Sequence, residues 1–103
     1  MAGWVDVCDE EEIDLEDVLR FDHGGRTYAV YRSAEGEVFA TDGLCTHEQV
    51  HLAGGLVMDD VIECPKHNGR FNYRTGAALR TPACVNLATY PARVEGGIIQ
   101  IQV

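Results

Sequence analysis

Short apolar runs separated by glycine and acidic turns make up most of the chain, and no stretch repeats its apolar residues with a sustained helical period. Runs of this length, bounded by pairs such as Gly–Gly and Asp–Asp, are typical of strands joined by tight turns. The pattern predicts strands at Trp4–Cys8, Val18–Phe21, Thr27–Tyr31, Val38–Thr41, Val57–Met58, Val61–Glu63, Arg70–Tyr73, Thr89–Val94 and Ile98–Val103. Strands at this spacing indicate an all-β fold, a single antiparallel β-sandwich or barrel over residues 1–103.

Three segments depart from the strand pattern. The acidic segment Glu10–Leu19 is predicted to hold a helical turn or two, with Asp9 as its N-cap. The stretches Leu44–Gly55 and Glu63–Gly69 are predicted to be loops that each leave a strand. Each of these two loops carries a cysteine that is followed closely by a histidine. The two loops are therefore the strongest candidates for a functional site.

Composition and length indicate one ordinary globular domain. The 103 residues are 46% hydrophobic and 24% charged. No run approaches the roughly 20 apolar residues of a membrane span. The N-terminal residues Met1–Trp4 show neither a basic start nor an apolar signal core. These features predict a cytoplasmic protein that does not bind a membrane.

The formal net charge of −9 is unevenly distributed. From Cys45 onward five acids face five bases, whereas Asp6–Asp22 alone holds nine acids with Arg20 as its one base. A surface of this sign repels phosphate backbones, which makes nucleic acid an unsuitable partner. The acidic segment is interpreted either as a solvated face that maintains solubility or as a surface that steers a basic protein partner.

Two of the four cysteines form pairs with histidines. Cys45 and His47 are two positions apart, Cys64 and His67 are three apart, and sixteen residues separate the pairs. Without a signal peptide, metal binding is a better interpretation than two disulfides. Two thiolates and two imidazoles suit tetrahedral zinc or an iron–sulfur centre of mixed ligation. The other cysteines, Cys8 and Cys84, have no matching histidine and are interpreted as a small core residue and a packed loop thiol.

The segments Cys45-Thr46-His47 and Cys64-Pro65-Lys66-His67, the latter followed by Asn68–Asn72, resemble the Rieske [2Fe–2S] proteins. The likeness covers the whole chain and is greatest to the small Rieske ferredoxins of multicomponent bacterial oxygenases. It implies the Rieske fold, with a cluster-binding subdomain at about residues 44–69 and one [2Fe–2S] cluster per chain. In that family's arrangement Cys45 and Cys64 would ligate the inner iron, and His47 and His67 the outer iron.

The resemblance also implies a function. The chain would be a monomeric electron carrier, not catalytic alone, that takes one electron from a flavin-dependent NAD(P)H ferredoxin reductase and passes it to a terminal oxygenase in aromatic hydrocarbon catabolism. The sequence has no nucleotide-binding glycine motif and no second histidine–carboxylate set for a mononuclear iron. Two alternatives remain: a Rieske-like small subunit of an assimilatory nitrite reductase, and a structural zinc domain that acts as an interaction module.

Two further expectations concern the surroundings of the cluster. Contacts with partners are predicted at residues around the ligating histidines, with His51 as a surface residue near the cluster: Val50, His51, Leu52, Lys66, Asn68 and Pro82. Respiratory Rieske proteins place a serine and a tyrosine where this chain has Gly69 and Phe71, which carry no hydroxyl. Fewer hydrogen bonds to sulfur predict a reduction potential at the low end of the Rieske range.

Overall fold

The computed structural model describes residues 3–46, 49–66, 68–81 and 85–103, and its strands form three antiparallel sheets. The strands are β1 (Trp4–Asp9), β2 (Asp17–His23), β3 (Arg26–Arg32), β4 (Val38–Asp42), β5 (Leu56–Met58), β6 (Val61–Glu63), β7 (Arg70–Asn72), β8 (Ala78–Arg80), β9 (Thr89–Tyr90), β10 (Ala92–Glu95) and β11 (Ile98–Gln102). The first sheet has the order β1-β11-β10, the middle sheet β2-β3-β4-β9 and the third sheet β5-β6-β7-β8. The predicted all-β antiparallel fold is confirmed.

The hairpin between β2 and β3 forms where the sequence predicts it. The two strands pair along their whole length, from Asp17 opposite Arg32 to His23 opposite Arg26. Gly24 and Gly25 connect them with φ angles of +60° and +78°. A two-residue turn with both residues in the left-handed region matches the twist of the strands and favours glycine.

Two local predictions were wrong in extent. Of the predicted helical segment Glu10–Leu19 only one 3₁₀ turn forms, at Glu10–Glu12, and the side chain of Asp9 makes no capping hydrogen bond. Its last three residues already belong to β2, because Val18 and Leu19 pair with β3. The predicted strand Thr89–Val94 is divided at Pro91, which has no N–H to donate to a sheet.

Strand β3 is buried on both faces and separates two cores. Successive side chains of a strand point to opposite faces. Tyr28 and Val30 therefore pack toward the first sheet, with Ile99 and Ile101. Ala29 and Tyr31 pack toward the third sheet, in a cluster that also holds Leu52, Val57, Ile62, Cys45, Cys64, Phe71, Tyr73 and Leu87. The third sheet is thus held on one face of the middle sheet.

Aromatic and ionic contacts join the third sheet to the middle sheet. The rings of Tyr31 and Tyr73 stack with centroids 4.7 Å apart, and both side chains are fully buried. The Tyr73 hydroxyl donates to the Asp59 carbonyl, 2.6 Å away. Arg74 pairs with Asp60 at 2.7 Å and with Glu37 at 2.9 Å. These contacts fix the sheet from which the second cysteine loop leaves.

Candidate metal centre

The two cysteine loops close in the same way. The Cys45 N–H donates to the Val50 carbonyl at 3.0 Å, and the Cys64 N–H donates to the Gly69 carbonyl at 2.7 Å. In both loops, therefore, a cysteine stands at the start and the backbone returns to it five residues later. His47 and His67 lie outside the described residues, and in sequence each falls between the two ends of a closed loop.

Both cysteines of these loops are buried in one core. Cys45 is 4% exposed and Cys64 is 1% exposed, and both belong to the cluster between the middle and third sheets. By contrast, Cys8 is half-buried on β1 and packs against the other core, as a small apolar residue would. Cys84 lies outside the described residues. The packing of Cys8 is that of the small core residue that the sequence predicted.

The second loop is supported from within its own hairpin. It connects β6 to β7, whose residues Glu63 and Arg70 are opposite each other in register. The Arg70 Nε donates to the Glu63 carboxylate at 2.9 Å, which closes the base of the loop with an ion pair. Asn68 adopts a φ of +57° just before the loop returns at Gly69. Asparagine is among the residues that tolerate this left-handed conformation best.

The first loop is supported by other segments of the chain. The Thr46 hydroxyl donates to the Val85 carbonyl at 2.7 Å. Leu44 forms an isolated antiparallel bridge with His51. A 3₁₀ turn at Leu52–Gly54 follows, and its first residue, Leu52, is fully buried. The sequence did not predict this turn, because a single leucine in a loop carries no periodic signal.

The predicted partner contacts are only partly consistent with the structure. Lys66 and Asn68 are exposed and Val50 is half-buried, whereas Pro82 lies outside the described residues. Leu52 was wrongly predicted as a contact, because its side chain is 0% exposed. His51 is half-buried like Val50, and both of its ring nitrogens have hydrogen-bond partners within the chain.

Sequence reasoning missed two exposed apolar side chains near the first loop. Leu44 directly precedes Cys45 and is 36% exposed, and Val85 accepts the Thr46 hydrogen bond while its side chain is 58% exposed. Both side chains therefore add apolar surface beside the first loop. The sequence did carry a sign of both residues, because each is an apolar residue that lies outside any alternating strand pattern.

Glu16, in the acidic stretch Glu10–Leu19, touches the third sheet at the end away from the two cysteine loops. The Glu16 carboxylate accepts a hydrogen bond from the Asp59 N–H at 3.0 Å, in the turn between β5 and β6. Cys64 follows the other end of β6, and three residues of strand span about 10 Å. Charges at this distance act on an incoming partner mainly through the long-range field, which salt screens over about 8–10 Å.

Comparison with known proteins identifies a family and several relatives. The model of the Rieske [2Fe–2S] domain matches residues 3–91. The ferredoxin component of a naphthalene 1,2-dioxygenase system from Pseudomonas aeruginosa is 42% identical over 98 residues, which are 95% of this chain and 93% of that protein. The biphenyl dioxygenase ferredoxin subunit of Pseudomonas sp. (strain KKS102) is 38% identical over 90 residues, covering 86% of this chain and 82% of the relative.

Solved structures agree with these sequence matches. The Sphingomonas yanoikuyae B1 ferredoxin superposes with a TM-score of 0.90 at 33% identity, covering 98% of this chain and 99% of that chain. A ferredoxin chain in a complex of reduced oxygenase and oxidized ferredoxin in carbazole 1,9a-dioxygenase gives a TM-score of 0.90 at 32% identity, covering 96% and 92%. These matches confirm the resemblance drawn from the cysteine and histidine motif.

The nitrite reductase alternative has only distant support. An NADH-dependent nitrite reductase small subunit from Mycobacterium tuberculosis superposes with a TM-score of 0.89 at 22% identity, covering 100% of this chain and 96% of that chain. Identity at this level establishes a shared fold and nothing finer.

In the described residues, no helix has both the length and the apolar character that crossing a membrane requires.

Proposed function

We propose, because the chain belongs to the Rieske [2Fe–2S] family, that it is a ferredoxin that delivers single electrons to the terminal oxygenase of a ring-hydroxylating dioxygenase system. The observation that carries the proposal is the 42% identity to a naphthalene dioxygenase ferredoxin component across nearly the whole of both chains. The structural match to a ferredoxin seen in complex with its oxygenase supports the same partner class. In this role the chain is a carrier and performs no catalysis alone.

The proposed ligands are Cys45 and Cys64 for one iron and His47 and His67 for the other, with one cluster per chain. The donor set suits the group: two thiols are buried in the same core cluster, each at the start of a closed loop. A bound [2Fe–2S] cluster of mixed ligation supplies a one-electron carrier whose potential depends on hydrogen bonds, charge and exposure. One pair of such loops supports one cluster, within the proposed subdomain at about residues 44–69.

The proposed centre is covered by buried core side chains on one side and by exposed loop residues on the other. The core side chains Leu52, Ile62 and Phe71 are fully buried in the same cluster as the two thiols and exclude water from that side. The loop residues Thr46, Pro65, Lys66 and Asn68 are exposed. A partner that docks on the loop side therefore approaches the proposed ligands without any rearrangement of the core.

We further propose that partners dock on a loop face composed of Leu44, Thr46, Val50, Val85 and the exposed residues of the second loop. The acids of Glu10–Leu19 act at long range on association rate, because Glu16 contacts the turn between β5 and β6, away from the loops. The electron donor in this proposal is a flavin-dependent NAD(P)H reductase. The chain functions as a monomer in the cytoplasm, in aromatic hydrocarbon catabolism, and its net charge of −9 does not suit nucleic acid.

A single-turnover experiment tests this function without any reductase. The protein is reduced chemically, freed of reductant and mixed without oxygen, at two or more ferredoxins per active site, with oxidised naphthalene dioxygenase and naphthalene. Oxygen is then admitted to allow product formation. A parallel anaerobic mixture contains a sirohaem nitrite reductase and nitrite. We expect rapid reoxidation and hydroxylated product in the first mixture only. Reoxidation by the nitrite reductase alone would contradict the proposal, and a colourless protein with one zinc would establish the structural zinc alternative.

Two matched variants test the loop face in the same assay. Val85→Asp places a charge on the proposed face, whereas Val94→Asp places the same charge on β10, where the side chain is 36% exposed. We expect Val85→Asp to slow reoxidation by about tenfold and Val94→Asp to leave it unchanged, because a desolvated charge at an interface costs more than a charge in water. Equal rates for the two variants would show that the partner docks elsewhere.

A further inference from the structure

The side chain of His51 connects the first cysteine loop to the hairpin of β2 and β3. Its Nε2 lies 2.9 Å from the Thr27 hydroxyl oxygen, and its Nδ1 accepts a hydrogen bond from the Ala53 N–H at 3.0 Å. The Thr27 hydroxyl donates to the Asp22 carboxylate at 2.6 Å. A hydroxyl has one proton to donate, so the Nε2 of His51 must be the donor to Thr27.

These bonds form a chain with a fixed direction. It runs from the Ala53 N–H through the His51 ring and the Thr27 hydroxyl to Asp22, whose carboxylate also accepts from Arg20 Nε at 3.1 Å. Burial, and the nearby positive charge of Arg20, lower the pKa of His51 below its ordinary value. A neutral ring is required here, because protonated Nδ1 could not accept from Ala53.

The backbone around the ring is packed closely. A Cβ at Gly43 would approach His51 Nε2 to 2.5 Å and the backbone of Thr27 and Tyr28 to 3.0 Å. The Gly43 N–H donates to the Thr27 carbonyl at 3.0 Å, and its own carbonyl accepts from the Leu52 N–H at 2.8 Å. The ring therefore occupies a space that the absence of a side chain at residue 43 provides.

Both ends of the first loop meet where His51 is held. Leu44 and His51 form an antiparallel bridge, and inside it Cys45 N–H donates to the Val50 carbonyl. The second loop does not require such a side-chain link, because it directly connects the paired strands β6 and β7. Within the described chain, the His51 side chain therefore links the base of the first loop to β3.

We propose that His51 is a positioning residue, which holds the base of the first loop in place for metal ligation by anchoring it to Thr27 and Asp22. The inference rests on the proposed ligand set, since that set makes the conformation of this loop matter. A ligand loop that is fixed before binding loses less entropy when it holds its metal. The sequence-based expectation for His51 was a surface contact, and the two roles predict different outcomes.

Hydrogen–deuterium exchange of the cluster-loaded protein, read by mass spectrometry, measures the anchor without a partner. Thr27→Val removes the hydroxyl and keeps the shape of the side chain. His51→Asn keeps an acceptor near Ala53 but cannot reach Thr27. Thr27→Ser and His51→Gln restore, respectively, the hydroxyl and a donor of the right reach. Peptides covering residues 43–55 report the first loop, and peptides covering 61–72 serve as the internal control.

We expect Thr27→Val and His51→Asn to speed exchange in residues 43–55 by about fivefold, the loss of one hydrogen bond, with residues 61–72 within twofold of the parent. Release of iron to a chelator should accelerate with it, and the EPR lines of the reduced protein should broaden. Thr27→Ser and His51→Gln should return all three readouts close to the parent.

Unchanged exchange in Thr27→Val, or equal acceleration in both loops, would overturn the inference. Failure of the conservative variants to rescue exchange would overturn it as well. These outcomes leave the proposed function intact, because they concern the loop and not the electron acceptor. A parent protein purified without iron and sulfide would instead refute the proposed ligand set.

Discussion

The loops that begin at Cys45 and Cys64 have the same backbone closure but different supports. The second loop connects two adjacent strands and is closed at its base by the Glu63–Arg70 ion pair. The first loop is closed at its base by the isolated Leu44–His51 bridge, with no paired strands beneath it in the described part of the chain, and is further held by Thr27 and Val85 from other segments. One loop is thus stabilised locally and the other by tertiary contacts, although both present a buried cysteine to the same core.

The difference indicates where each loop is vulnerable. Local support depends on residues near in sequence and survives disturbance elsewhere, whereas tertiary support fails when any of its distant partners changes. Substitutions in one loop should therefore leave the other loop unaffected, unless they remove a ligand of the cluster that the two loops hold together.

Removal of a proposed ligand should have the largest effect, which is loss of the cluster, and the effect should be the same for a ligand of either loop. Cys45→Ser and Cys64→Ser, and likewise His47→Ala and His67→Ala, should each lose the cluster, because each removes one of four ligands. Iron and acid-labile sulfide analysis of the purified proteins measures this. Cys8→Ser is the matched control and should retain full iron content. A Cys45→Ser protein with two irons and two sulfides would contradict the assignment.

Crowding at Gly43 should damage the first loop selectively. Gly43→Ala places a methyl group against His51 and the backbone of β3, which we expect to destabilise the protein by about 1–3 kcal/mol. Gly54→Ala is the control, because its Cβ would meet Pro65 at an ordinary 3.7 Å. Denaturation midpoints compare the two variants. Equal midpoints would mean that the space at Gly43 is not restricted.

A hydroxyl group added to the second loop should raise the reduction potential of the cluster. The chain has no hydroxyl at Gly69 or Phe71, so its midpoint potential should lie toward the low end of the Rieske range, about −150 mV. Gly69→Ser, alone or with Phe71→Tyr, should raise this value, because an added donor stabilises the charge gained on reduction. Gly3→Ser, whose Cβ would meet no atom within 4 Å and which pairs with Val103 at the end of the first sheet, should not. Protein-film voltammetry gives all these values, and a parent midpoint above zero would contradict the prediction.

Loss of the ion pair at the base of the second loop should have a modest effect. The side chains of Arg70 and Glu63 are 37% and 19% exposed, and pairs near the surface contribute about 1 kcal/mol or less. Glu63→Gln should speed amide exchange in residues 61–72 and leave residues 43–55 unchanged, the reverse of Thr27→Val. Acceleration in the first loop would show that the two supports are coupled.

Acid should weaken the first loop slightly more than the second. The pKa of His51 is lowered in the folded protein by burial and by Arg20, so below its ordinary value of about 6.5 the unfolded chain binds the proton more readily. The contribution of neutral His51 is therefore complete above pH 6.5 and is lost as the pH falls through the lowered pKa. Denaturation midpoints between pH 7.5 and 5 should fall further in the parent than in His51→Gln. Parallel curves would contradict this prediction.

The sequence predicted those parts of the fold that local patterns determine. Hairpins such as Val18–Phe21 with Thr27–Tyr31 follow from alternation and a Gly–Gly turn, and the loop containing Cys64 follows from the strands on either side. Short elements without a pattern escaped it, including β8 and the turn at Leu52–Gly54. The Glu10–Leu19 helix failed because pairing of Val18 and Leu19 with β3 outweighed local preference.

The candidate centre was predictable to a similar degree. The spacing of Cys45, His47, Cys64 and His67 was enough to propose the ligands. The role of His51 was not predictable, because its partners Asp22 and Thr27 are more than twenty positions away in sequence. Only tertiary structure brings that hairpin against the first loop, so a histidine beside a ligand motif was interpreted as an exposed residue.

Pulsed EPR on the reduced protein labelled with ¹⁵N-histidine shows whether two histidines and two cysteines hold one [2Fe–2S] cluster. We expect strong hyperfine couplings from two histidine nitrogens, both retained in His51→Gln, and no cluster signal in His47→Ala or His67→Ala. Absence of any strongly coupled histidine nitrogen, in a protein that still holds iron and sulfide, would contradict the account.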